Sequence, residues 1–158
     1  MAATLHCLCA LSILAILGAA AGAANAGVTD KHLCGFSFPT PIRDAWTAVG
    51  GSEGRLGCPA SAVTTADISR QQTRGRQVLF TDGMIVWHQS GPRANDAYVV
   101  WGCLFRLYFQ FGATSGWLGM PTSDPINTPD GQKQAFEGGE MRYIRATDSC
   151  SAEPTPRP

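Results

Sequence analysis

Apolar residues fall at Ile42, Ala45, Trp46 and Val49, and again at Leu104, Leu107, Tyr108 and Phe111. Both sets follow the i, i+3, i+4, i+7 spacing that marks one face of an α-helix. Each run closes on a glycine, Gly50 or Gly112, the residue that lets a helix end in a left-handed turn. Thr40 and Pro41 offer the first helix an N-cap and a proline at its first position. At the same offset of 62 (104 − 42), Gly54-Arg55-Leu56-Gly57-Cys58-Pro59 matches Gly116-Trp117-Leu118-Gly119-Met120-Pro121. Such a segment predicts a rigid turn. Gly57 and Gly119 accept unusual backbone angles, Pro59 and Pro121 fix the exit, and Leu56 or Leu118 plugs the interior.

A second match follows at an offset of 56 (136 − 80), where Gly75–Trp87 aligns with Gly131–Tyr143. Each block predicts a β-hairpin. One strand ends at Phe80 or Phe136, a glycine turn follows, and the return strand carries Ile85 and Trp87, or Met141 and Tyr143. Asp82-Gly83 is a hairpin-turn signal, and Gly139 stands where Gly83 does. The polar segment from Ser61 to Arg74 predicts an exposed loop, and Trp101, in an apolar run before the second helix, predicts core. The expected fold is α+β. It consists of two helix–turn–β-hairpin units, 41–101 and 102–150, packed together because neither buries its apolar face alone. An N-terminal segment, 27–40, and a proline-rich tail, 151–158, flank them.

Ahead of these units, Leu8 to Ala24 carries no charge, and Ala24-Asn25-Ala26 fits a signal-peptidase site. Residues 1–26 therefore read as a secretory signal peptide, although no Lys or Arg precedes the apolar run; an uncleaved anchor is the alternative. Cleavage after Ala26 leaves 132 residues (158 − 26), one ordinary domain. Twelve basic residues balance twelve acidic ones. That leaves no basic face for nucleic acid, and no later segment is long and apolar enough to insert stably in a membrane. Four cysteines remain: Cys34, Cys58, Cys103 and Cys150. In an exported chain they predict two disulfides with three possible connectivities. Joining the two ends favours Cys34–Cys150, with Cys58–Cys103 inside. No C-x-x-C pair exists and His32 and His88 stand apart, so neither a metal nor another cofactor is expected.

The ordered motifs resemble the LGFP repeat family. Trp46-Thr47-Ala48-Val49-Gly50-Gly51, Leu56-Gly57-Cys58-Pro59 and Phe80-Thr81-Asp82-Gly83-Met84-Ile85-Val86-Trp87 carry the resemblance in the first unit. Leu118-Gly119-Met120-Pro121-Thr122-Ser123-Asp124 carries it in the second, which departs in having Tyr108 and Tyr143 where tryptophan is usual. The likeness spans about residues 41 to 145. It implies a secreted, cell-wall-associated protein, since such repeats occur as tails on actinobacterial cell-wall enzymes. Longer arrays are propeller-like; two copies are fewer than usual and do not predict a closed ring from one chain.

Chemistry-bearing patterns are sparse. Gly50-Gly51-Ser52-Glu53-Gly54 satisfies G-x-S-x-G, but a nucleophile elbow needs a strand before it and a helix after it. Asp67, Asp82, Asp124, Asp130, Glu137 and Glu140 fall in predicted loops and turns, where such residues bend backbone. The aromatics remain. Trp46 and Tyr108 lie on apolar helix faces and read as core. Trp87 and Tyr143 read as core edge or as stacking platforms, each beside a polar neighbour, His88 or Arg142. Trp117 sits in a tight turn with few ways to be buried. These five residues, Trp87, His88, Trp117, Arg142 and Tyr143, are the candidate glycan contacts of a non-catalytic module whose partner is cell-wall polysaccharide or another extracellular glycan. The alternatives are a structural or protein-binding secreted domain and a cell-wall hydrolase.

Overall fold

The computed structural model describes residues 34–156. The expected signal peptide, its cleavage site and His32 lie outside the described residues. Helix α1 spans Thr40–Ala48, and strands β1 Thr64–Ala66, β2 Gly75–Phe80, β3 Gly83–His88 and β4 Ala97–Trp101 follow it. Helix α2, Gly102–Gln110, then leads to β5 Ile126–Thr128, β6 Gly131–Ala135, β7 Gly139–Ile144 and β8 Ser149–Pro154. Each half is thus a helix, a 3₁₀ turn and a four-stranded antiparallel sheet with strands in chain order. Among the described residues, no helix is long and apolar enough to cross a membrane.

The helices stop where the glycines dictate. Gly50 and Gly112 adopt φ of +98° and +89°, a region closed to most side chains. The start of α1 differs from expectation. Pro39 is the N-cap and Thr40 is already helical, so the Thr40 hydroxyl makes no capping bond. The first hairpin also differs in detail. Phe80 pairs with Gly83, which leaves Thr81-Asp82 as the turn and puts Gly83 in the strand. Gly83 is there for space: a Cβ would run into the Leu56 side chain and lie 2.8 Å from the Val100 carbonyl oxygen.

Both expected two-stranded hairpins are the centres of wider sheets. The segment from Ser61 to Arg74, expected to be an exposed loop, contributes β1 and buries Ala66, Ser69 and Thr73. Trp101 is only half-buried. The disulfides join Cys34 to Cys58 and Cys103 to Cys150. This corrects the end-to-end pairing favoured above. Each bridge stays within one half, and the second ties the first turn of α2 to β8, which packs on that helix.

Layering follows from strand alternation. Helix α1 packs on β3 and β4, on the face where Val78, Ile85 and Val99 stand in one row. Helix α2 covers the opposite face, against Met84, Val86 and Val100, and also packs on β7 and β8. The order of layers is α1, first sheet, α2, second sheet. Leu104, Tyr108, Leu118, Met120, Phe136 and Met141 fill the shared core, while Phe38, Ile42, Trp46, Leu56 and Phe80 fill the one under α1. Each fully buried side chain of this kind is worth about 1.5–3 kcal/mol. Among the described residues, no element covers the last face of the second sheet. Glu140 and Arg142 stand there at the positions matching Met84 and Val86, and Glu140 pairs with Arg142 at 2.8 Å and with Lys133 at 3.7 Å.

Candidate functional site

Two sequence neighbours in a strand point to opposite faces, and this separates the expected contacts. His88 is buried, with its Nε2 2.7 Å from the Pro121 carbonyl oxygen and its ring edge-on to Tyr98. A side chain committed in this way is no surface platform. Trp87, on the other face, is half-buried against the α1 core, and its indole nitrogen is enclosed without a hydrogen-bond partner. Arg142 is exposed on the open face of the second sheet, held by Glu140. Tyr143 faces the α2 side, and its hydroxyl donates to Asp148 at 3.0 Å, which raises its pKa. The five candidates therefore do not form one surface.

Tyr143 instead borders a cavity of about 190 Å³ with Trp101, Arg55 and Gln132. The Arg55 guanidinium lies 5.2 Å from the centre of the Trp101 ring, so that ring face is already occupied. Trp117 is better placed. It edges an open cavity of about 660 Å³ between the two halves, with Arg70 and Gln71 from the first and Glu137 and Thr155 from the second. Its indole is fixed in place. Phe111 packs 5.6 Å away between ring centres, and a Cβ on Gly139 would come within 2.9 Å of the ring. Gly139 thus serves close approach, as Gly83 does in the first sheet.

Glu137 anchors this cleft. Its Oε2 accepts the Met120 N–H at 2.9 Å, and its other oxygen accepts the Thr73 hydroxyl in a short bond across the junction. Thr73 is itself fixed by a bond from its N–H to the Ser69 hydroxyl at 3.1 Å. The segment carrying Arg70 and Gln71 is therefore tied at both ends of its turn to ordered groups. A neighbouring cavity of about 350 Å³ shares Gln71 and Glu137 and continues to Thr122, Arg93 and the buried His88. Gly119 lets the shared wall close in, because a Cβ there would sit 2.5 Å from the Glu137 Oε2 and 2.7 Å from the Gln71 side-chain amide oxygen. From its sequence, Glu137 reads as turn chemistry, and Arg70 and Gln71 read as part of an exposed loop. The only available signal was position: Glu137 directly follows Phe136 where the first unit has Thr81.

Among the other acidic candidates, Asp82, Asp124, Asp130 and Glu140 have structural partners, while exposed Asp67 has none among the described residues. Asp82 pairs with Arg106, and Asp124 accepts the Val99 N–H at 2.9 Å. Ser52 lies in the 3₁₀ turn after α1, without the strand–turn–helix frame of a nucleophile elbow. Among the described residues, no three His, Cys, Asp or Glu side chains are grouped to hold a metal. No protein-family model matches this chain, and no curated protein matches it.

Proposed function

We propose that the protein is a secreted, non-catalytic module that holds cell-wall polysaccharide or another extracellular glycan in the cleft edged by Trp117. The observation that carries this reading is the fixed indole of Trp117 at the rim of an open, mainly apolar cavity of about 660 Å³ that also presents Arg70, Gln71, Glu137 and Thr155. An aromatic face backed by protein suits the apolar face of a sugar ring, while amide, carboxylate and hydroxyl groups beside it suit sugar hydroxyls. Two disulfides support an exported protein, since such bonds persist in oxidising compartments.

The two halves as LGFP-type repeats form part of the same reading. Their element orders agree, and Trp46 and Tyr108 occupy equivalent places on α1 and α2. One open platform binds weakly, so retention on a wall depends on several sugars or several copies engaging together.

Sedimentation with insoluble wall polysaccharide tests the reading. Trp117→Ala should release most of the bound protein, and Trp117→Phe, which keeps an aromatic wedge, should release less. Circular dichroism and thermal unfolding of both variants establish that the fold is retained. Retention of a folded Trp117→Ala variant at the wild-type level sinks the cleft as the binding site.

A further inference from the structure

The polar groups around Trp117 are unequal in what they leave free for a ligand. Both carboxylate oxygens of Glu137 already accept protein hydrogen bonds, one from the Met120 N–H and one from the Thr73 hydroxyl. Arg70, at the same cavity, is exposed and has no ion-pair partner among the described residues. Arg43, Arg106 and Arg142 pair with acids and Arg55 lies over Trp101, whereas Arg74 and Arg76, like Arg70, have no ion-pair partner among the described residues but do not line this cavity. In the neighbouring cavity, Arg93 is exposed and spends one donor on the Tyr98 hydroxyl at 3.0 Å. The joined cleft thus has an arginine in each compartment, the Trp117 indole in one of them, and Gln71 and Glu137 in the shared wall.

We infer that the cleft selects an acidic glycan, with the carboxylate of a sugar acid on Arg70 and the adjoining ring face stacked on Trp117. The inference rests on the glycan reading of this cleft and narrows it to a ligand class. A guanidinium presents paired N–H donors in a plane that fits a carboxylate in a bidentate way. A neutral sugar leaves that fork unpaired. Glu137 repels a ligand carboxylate near the shared wall, which places the acid at the Arg70 rim and sugar hydroxyls against Glu137 and Gln71. The two compartments, about 660 and 350 Å³, give room for more than one sugar ring.

Titration calorimetry on the full oxidised protein tests this. The probes are oligogalacturonate, oligomannuronate and heparosan oligosaccharides, each beside its carboxyl-reduced neutral counterpart. At least one acidic probe should bind about two- to fivefold more tightly than its reduced form, the range of one partly exposed charged pair. Added salt should erase that margin. Arg70→Gln should remove the preference while the neutral affinity stays, and Trp117→Ala should weaken both forms. Equal affinity for acidic and reduced probes overturns the acidic class and leaves the glycan reading standing. Binding of polyglutamate as tight as the uronates, and insensitive to Trp117→Ala, overturns the sugar component in favour of an acidic peptide. No binding of any saccharide overturns both this inference and the glycan reading of the cleft.

Discussion

Tyr108 donates its hydroxyl to the carbonyl of Gly119 at 2.7 Å, the same contact that Trp46 makes from its indole N–H to the carbonyl of Gly57 at 2.9 Å. In each half a helix aromatic thus ties the following G-x-L-G-x-P turn to the core. A tyrosine serves where a tryptophan stands in the other half because both carry a donor at the far end of a flat apolar body. Tyr108→Phe keeps the ring and strands a buried acceptor. It should cost about 1–3 kcal/mol, read as a lower urea midpoint at unchanged slope. A midpoint equal to wild type would mean that water satisfies Gly119 in the native protein.

The same hydroxyl makes the fold sensitive to alkali. Burial, and then the nearby charge of Glu137, push the Tyr108 pKa well above its ordinary value of 10.0. Below that value Tyr108 is protonated in both the native and the unfolded chain, so its contribution is fully present. As pH rises further, the unfolded chain gives up the proton and the native one keeps it. Stability then falls by about 1.4 kcal/mol per pH unit until the native group ionises too. Denaturant midpoints above about pH 10 should approach this slope in wild type and show a shallower one in Tyr108→Phe. Parallel slopes would place the alkaline sensitivity elsewhere.

The disulfides give a covalent test of the topology. Cys34–Cys58 spans a separation of 24 residues and Cys103–Cys150 one of 47. Chain-entropy arithmetic assigns the two bridges roughly 3.5 and 4 kcal/mol. Cys103→Ser with Cys150→Ser should therefore lower stability slightly more than the other pair of substitutions. Peptide mapping without reduction should recover Cys103 linked to Cys150 and intact mass should be about four hydrogens below the reduced value, two per bridge. Four free thiols, or a Cys58–Cys103 peptide, would be incompatible with this architecture.

The pairing was not legible because cysteine spacing carries no information about which strand returns to which helix. Both helices and both central hairpins were legible, since Ile42, Trp46, Leu104 and Tyr108 repeat at helical spacing and the hairpins carry apolar side chains at strand spacing. The outer strands were not. Thr64–Ala66 and Ile126–Thr128 are three residues long and mostly exposed, so they lack any core-facing alternation. Of the candidate contacts, Trp117 lies at a cavity rim, in keeping with its turn, whereas His88 is buried, because it alternates with Trp87 across the strand. Gln134, fully buried, was invisible as polar. It donates to the Val99 carbonyl at 2.7 Å and the Ser123 carbonyl at 2.8 Å, which together with Asp124 closes the free edge of β4.

The open face of the second sheet makes the last prediction. In the first sheet, Met84 and Val86 on the matching face are fully buried under α2. In the second, Glu140 and Arg142 occupy those positions and face solvent in a chain of ion pairs with Lys133. Such pairs add little stability. Their effect is to leave no apolar surface for another layer to cover, as the terminal units of stacked arrays require. Glu140→Met with Arg142→Val restores the first sheet's pattern on a face that no described element covers. An uncovered apolar patch of a few hundred Å² promotes association, so the double variant should self-associate in analytical ultracentrifugation while its unfolding midpoint changes little. Glu140→Gln with Arg142→Gln removes the charges without adding apolar surface and should leave the sedimentation coefficient as in wild type. If the apolar variant sediments like wild type as well, polarity at these two positions is not what ends the stack.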